Sequence, residues 1–149
     1  MAARAIVLSI YRRHARDIFE RNKTVELRRL MPKVTKGDLV LVYVPSPTKA
    51  LVGAFSVDKI ITGNPGMLWK QVMEKSGLNK REYDEYFKNS SKAVGIFVGQ
   101  TWKLKQPIKL KELREHLSDF IAPQSYRYAK VDEISLVRRH SESGHSRKR

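Results

Sequence analysis

The sequence predicts an α+β domain: a small curved mixed β-barrel with helices packed at its ends. Three observations carry that expectation. The apolar patterning runs strand, helix, several strands, two helices and strands again, which matches neither the regular alternation of a doubly wound sheet nor a helical bundle. Glycines at 53, 95 and 99 interrupt strand-like runs, as a strongly curved sheet requires. The 149 residues, 41% of them hydrophobic, suffice for one core and not for two, so one domain is expected over residues 1–137.

Taken in order, Ala5 to Ile10 is a short apolar run rich in β-branched residues and reads as a buried strand. From Tyr11 to Asn22 the period changes: Tyr11, Ala15, Ile18 and Phe19 fall on one helical face, with Arg12, Arg13, Arg16 and Glu20 opposite. Thr24 to Arg29 alternates, placing Thr24, Glu26 and Arg28 on one side of a strand and Val25 and Leu27 on the other. A turn at Lys36-Gly37-Asp38 leads into Leu39 to Val44, a continuous apolar run suited to a strand buried on both faces. Pro45-Ser46-Pro47 ends it, because both rings fix φ and neither nitrogen donates to a ladder.

Leu51 to Ile61 resumes as a strand, closed by Asn64-Pro65-Gly66, and Leu68, Trp69, Val72 and Met73 then take helical spacing. Asn79-Lys80-Arg81-Glu82 has the form of a capping box. The helix it opens carries Tyr83, Tyr86 and Phe87 on one face, a stripe better suited to core packing than to base stacking. Ala93 to Leu104 returns to strand character, Leu110 to Leu117 to a short helix, and Tyr126 to Val137 to a final strand region. Arg138 to Arg149 is polar, charged and aperiodic, and reads as a disordered basic tail.

Thirty Lys and Arg against fifteen Asp and Glu give a formal net charge of +15, which would repel itself in a compact fold unless a polyanion or counterions offset it. Ten of the basic residues fall within residues 1–36, against Asp17, Glu20 and Glu26, so the excess gathers around one structural unit. A nucleic acid is the expected partner. The absence of cysteine excludes a disulfide framework, a thiolate metal site and a cysteine nucleophile. The apolar run near the N-terminus is too short for a signal-peptide core or a membrane span, and a cytoplasmic location without membrane contact is expected. His14, His116, His140 and His145 are scattered, so no metal site is expected, and no glycine-rich sequence suggests a phosphate loop or dinucleotide cofactor.

The chemistry-bearing constellation is Lys23-Thr24-Val25-Glu26-Leu27-Arg28. A carboxylate between cations stays ionised and orients both, and Arg28 or Lys23 can meet a phosphate. Spacing alone favours a solvated ladder of opposite charges over a functional site. The stretch IFERNKTVELR, followed by KGDLVLVYVPSPTKALVGAF, closely resembles the ASCH domain, whose signature is G-x-K-x-x-E-x-R. Lys23, Glu26 and Arg28 match its last three fixed positions, and Arg21 stands where the family has glycine. Asn22, which tolerates left-handed geometry, is the expected substitute for that turn residue. The likeness continues through Val52-Gly53-Ala54-Phe55 and Pro123-Gln124-Ser125-Tyr126-Arg127-Tyr128.

The resemblance implies a PUA-like barrel with a cleft suited to single-stranded RNA, more than DNA, or to a modified nucleoside. Carried onto this chain, the cleft is lined by Lys23, Thr24, Glu26, Arg28 and Arg29, by Tyr43, Ser46 and Lys49 from the loop after the third strand, and by Ser125, Tyr126 and Arg127. A binding module is the first expectation. The alternative is a hydrolase: either a metal-independent ribonuclease using Lys23, Glu26 or Ser125, or an acylcytidine amidohydrolase. Relatives that resemble the latter have a threonine where this chain has Glu26. A third class, an interaction protein docking through the basic tail and the aromatic helix, remains open.

Overall fold

The elements follow one another as β1 (Ala5–Ser9), α1 (Arg12–Phe19), β2 (Val25–Arg28), β3 (Leu39–Val44), β4 (Ala50–Gly63), α2 (Pro65–Val72), α3 (Lys80–Tyr86), β5 (Ala93–Lys109), α4 (Leu110–His116), β6 (Tyr126–Tyr128) and α5 (Val131–Ser141). The structure is a computed structural model and describes residues 4–30 and 32–141. The strands form one mixed sheet in the order β2-β5-β4-β3-β1-β6. Among the described residues, β1 and β3 are the one parallel pair and the other neighbours are antiparallel.

Curvature comes from the two long strands. β4 has 14 residues and β5 has 17, and their register shifts between Leu51 and Gly53, Phe55 and Val57, and Val57 and Lys59. Each extra residue bends and twists the ladder locally, and the sheet curls into a half-barrel. Gly53 lies at the tightest approach: a Cβ there would sit 2.5 Å from the Trp102 carbonyl oxygen and 2.6 Å from Cζ of Phe19.

Three apolar clusters hold the layers. Ile6, Leu8, Val40, Val42, Phe55 and Ile96 face Ala15 and Ile18 of α1. Val7, Leu41, Tyr43 and Leu104 point the other way, onto Leu113 of α4, Phe120, and Leu136 and Val137 of α5. β1 and β3 are thus buried on both faces, which is why their sequences read as unbroken apolar runs. Val25 and Leu27 pack with Leu68 and Val72 of α2 and with Tyr83 and Phe87 of α3, so the aromatic stripe is core. The capping box at Asn79 and Glu82 forms as expected.

Four local expectations are corrected. Tyr11 is exposed and sits at the N-cap of α1, where its backbone is extended, instead of on the packing face. Arg21 itself takes the left-handed turn (φ 63°), which Asn22 does not; its guanidinium donates to the Gly99 carbonyl oxygen at 3.0 Å and ties the turn to β5. β5 runs five residues past Leu104, to Lys109. Finally, the strand expected from Tyr126 to Val137 is three residues of β6 followed by α5, which takes in residues 138–141 of the expected tail. Residues 142–149 of that tail lie outside the described residues.

The physical reason for α5 lies in its charges. Asp132 and Glu133 occupy its first turn and Arg138, Arg139 and His140 its last, the order that opposes the helix dipole. Glu133, 1% exposed, accepts from Arg127 Nη1 at 2.9 Å and Nη2 at 2.8 Å and from the Lys130 backbone N–H at 2.9 Å. Among the described residues no helix is long and apolar enough to cross a membrane.

Candidate functional site

β2 presents Glu26 and Arg28 on the face opposite Val25 and Leu27, as alternation requires. That face points inward. Glu26 is only 6% exposed, and its Oε2 accepts from Arg28 Nη2 at 2.8 Å and Nε at 3.2 Å. Lys23, 2% exposed, places Nζ 3.6 Å from Glu26 Oε1 and donates to the Ser76 carbonyl oxygen. The motif is therefore a buried cation–anion–cation triad and not a solvated ladder. Burial alone would raise the Glu26 carboxyl; the charges of Lys23 and Arg28 outweigh it and hold the group below its usual range. Burial outweighs the pull of Glu26 on Lys23 and lowers the ammonium.

His14, on α1, faces the same cluster. Its imidazole is lowered first by burial and then by the Lys23 charge, and its Nδ1 is buried without a hydrogen-bond partner among the described residues. The sequence reading gave it no role. Its spacing held the signal, since it lies four residues before Ile18 on the inner face of α1.

The triad supports one end of the sheet. β1 and β3 are parallel and β6 is antiparallel to β1, so the C-terminal ends of β1 and β3 and the start of β6 lie together. Arg28 Nη2 donates to the Ser9 carbonyl oxygen at 2.6 Å, reaching from the β2 edge of the half-barrel across to β1. The Ser9 N–H donates to the Ser125 carbonyl oxygen at 2.8 Å, and the Ile10 N–H to that of Tyr43 at 2.9 Å. Three of the expected site segments thus meet on the two peptide units at Ser9 and Ile10. Arg28 Nη1 makes no hydrogen bond among the described residues.

The other expected residues divide. Ser46 and Lys49 are exposed on the loop after β3, where the Ser46–Pro47 peptide is cis, Lys49 has a positive φ of 51°, and the Pro45 carbonyl oxygen accepts from the N–H groups of Thr48 and Lys49. Ser125 is exposed and Tyr126 half-buried at the start of β6. The Tyr43 ring is buried in the second cluster against Phe120; burial raises its hydroxyl, partly opposed by the Arg114 charge. Thr24 is held by its backbone, between Lys75 and Val98. Arg29 stacks over Tyr86 at 4.3 Å and donates to its carbonyl oxygen. Arg127 is taken up by Glu133 and lies over Phe120 at 5.0 Å. His116 and His140, unrelated in sequence, bring their ring centroids within 6.2 Å. Among the described residues no three His, Asp or Glu side chains gather into a metal-binding group.

Comparison with known proteins agrees with this architecture. A family model described as the ASCH domain matches residues 8–114. The ASCH domain-containing ribonuclease of Zymomonas mobilis is 28% identical over 131 residues, 88% of each chain. The crystal structure of ASCH from Zymomonas mobilis superposes with a TM-score of 0.81 at 27% identity, covering 88% of this chain and 91% of that one. A Ureaplasma parvum protein named large ribosomal subunit protein uL22 is 32% identical over 108 residues, 72% of this chain, which spans about a third (34%) of that protein. The curled sheet is thus the PUA-like α+β fold of those structures, and the chain belongs to the ASCH domain family.

Proposed function

We propose that this protein binds single-stranded RNA at the end of the half-barrel where β1, β3 and β6 meet. The convergence of Arg28, Tyr43 and Ser125 on Ser9 and Ile10 carries the reading. In this reading Arg28 Nη1 and the Lys49 ammonium meet phosphate oxygens, the Ser125 hydroxyl bonds a ribose or base edge, and the Tyr126 ring stacks on a base. Lys23 and Glu26 act from beneath, fixing the guanidinium of Arg28. RNA is preferred to DNA because a relative covering 88% of both chains is named a ribonuclease. A chain without cysteine suits a cytoplasmic location.

Fluorescence anisotropy with labelled single-stranded RNA tests the reading. Lys49→Ala and Ser125→Ala each lower affinity by about five- to tenfold, the worth of one hydrogen bond to a charged or polar group. Affinity also falls steeply with salt. Wild-type protein whose RNA binding is absent, or indifferent to salt and to both substitutions, overturns it.

Cleavage is the second reading, favoured by the ribonuclease-named relative. It would be an attack of the 2′-oxygen on the adjacent phosphorus, with the 2′-hydroxyl proton passing to water and the released 5′-oxygen taking a proton from water, which leaves a 2′,3′-cyclic phosphate and a 5′-hydroxyl. Glu26 is committed to Lys23 and Arg28, so it serves as a positioning residue ahead of a general base. Lys49, exposed, takes over from the buried Lys23 the stabilisation of charge developing on phosphorus. Cleavage that persists in chelator and stops when the 2′-hydroxyl is removed supports it. Tight binding of RNA that stays intact leaves a binding module.

A further inference from the structure

A groove of about 550 Å³ runs between the loop after β3 and the beginning of α4, lined by Lys49, Lys109, Lys111 and Arg114 with Pro47 and Thr48. Four of these residues are cationic and no carboxylate lines the groove. The Leu110 N–H donates to the Lys49 carbonyl oxygen at 2.8 Å, and Ala50 pairs with Lys109 in the β4–β5 ladder. These bonds fix the two basic segments side by side. Glu112 of α4 turns instead toward His116, at 3.8 Å, and among the described residues none of the four cations forms an ion pair. Arg114 is oriented by donating to the Phe120 carbonyl oxygen at 3.3 Å.

Backbone bonds therefore hold like charges together with no counter-charge from the protein, an arrangement that an external anion relieves. The basic character continues along β5, where Lys103 and Lys105 are exposed and no acidic residue occurs between Ala93 and Lys109. A hollow along α3 makes the contrast. It is lined by Lys80, Arg81, Lys88, Asp84 and Glu85, and Lys80 is already paired with Asp84 at 2.6 Å.

The groove also adjoins the proposed RNA site, since Lys49 belongs to both. We propose that it is a phosphate track that carries the backbone of single-stranded RNA beyond the nucleotide held near Ser9 and Ser125. The ligand is then a strand of several nucleotides and not a free nucleoside. This inference rests on the RNA-binding reading and deepens it by naming the substrate class.

The test uses the full chain with a neutralised variant, Lys109→Gln with Lys111→Gln, and a reversed one, Lys109→Glu with Lys111→Glu. Both lysines are exposed, and melting curves check that the variants fold. Binding of a labelled RNA dodecamer and of a dinucleotide is measured across salt concentration. Losing two phosphate contacts makes the logarithmic salt slope for the dodecamer shallower by about 1.4, at about 0.7 per contact for a single strand. The reversed variant binds the dodecamer at least about tenfold more weakly, and the gain from dinucleotide to dodecamer shrinks.

Wild-type protein that binds RNA while both variants keep its slope and length dependence overturns the track and leaves the RNA reading standing. Wild-type protein that binds neither RNA overturns both. Vesicles containing phosphatidylserine form a third arm. Vesicle binding lost in the variants, with RNA binding unchanged, assigns the groove to a membrane surface and likewise overturns the proposal.

Discussion

Replacing Glu26 by glutamine keeps the shape of the side chain and removes the single negative charge between Lys23 and Arg28. The contacts are at 3.6 and 2.8 Å. At an effective dielectric of about 20, unit charges at those separations attract by about 5 and about 6 kcal/mol. Desolvation of three groups opposes most of that sum, and removing one partner from a buried pair costs about 3 to 5 kcal/mol because the remaining charge is left uncompensated. For a domain of this size such a loss lowers Tm by about 6 to 20 °C. Thermal and urea unfolding at neutral pH measure it. Adding Lys23→Met to Glu26→Gln should recover part of the loss, since one of the two stranded cations is gone. A Glu26→Gln protein within about 1 kcal/mol of wild type, or a double variant less stable than the additive sum, refutes the claim that the triad is held by its central carboxylate.

Three further outcomes follow from the geometry. Gly53→Ala places a methyl against backbone and the Phe19 ring, costing about 1 to 3 kcal/mol by overpacking; an unchanged urea midpoint contradicts that close approach. Arg127→Ala strands the buried Glu133, costs about 3 to 5 kcal/mol and loosens α5; unchanged amide protection over residues 131–141 shows that the pair does not anchor the helix. The folded chain keeps the His14 pKa below 6.5 and that of Glu26 below 4.5, so both groups favour folding above those unfolded values and lose that contribution as pH falls toward the folded ones. Stability therefore declines from about pH 6.5 downward and again below about pH 4.5. His14→Gln flattens the first decline, and a variant with the wild-type pH profile between neutrality and pH 5 removes His14 as its source.

Elements with a strong period were legible in the sequence. β1 and β3 announced themselves as unbroken apolar runs because sheet neighbours and helices cover both their faces, and Asn79 with Glu82 marked the start of α3. α5 was misread because Val131, Ile134, Leu136 and Val137 suit either period locally. Its end charges and the distant Arg127 decide for helix, and only the dipole pattern of those charges was visible beforehand. The turn at Arg21 was misassigned by propensity, which favours Asn in left-handed geometry. A tertiary bond from Arg21 to Gly99 overrides that preference.

The motif itself was legible as a set of residues and illegible as an environment. Alternation put Glu26 and Arg28 on one face, but the curl that turns this face inward arises from register shifts between β4 and β5, far along the chain. The same long-range closure brings Ser125 onto Ser9, an approach that leaves no local trace. His14 did leave one, in its place four residues before Ile18 on the inner face of α1.

The meeting of Arg28, Ser125 and Tyr43 on Ser9 and Ile10 has a consequence for reading mutants of this family motif. Those two peptide units act as a shared pin: Arg28 bears on the Ser9 carbonyl, while the Ser9 and Ile10 N–H groups tie the same stretch to Ser125 before β6 and to Tyr43 near the end of β3. On the proposed RNA reading, a substitution at Lys23 or Glu26 lowers affinity through misalignment although neither side chain touches the ligand. Variants at Lys49 or Ser125, whose side chains hang outside the pin, report on contact itself.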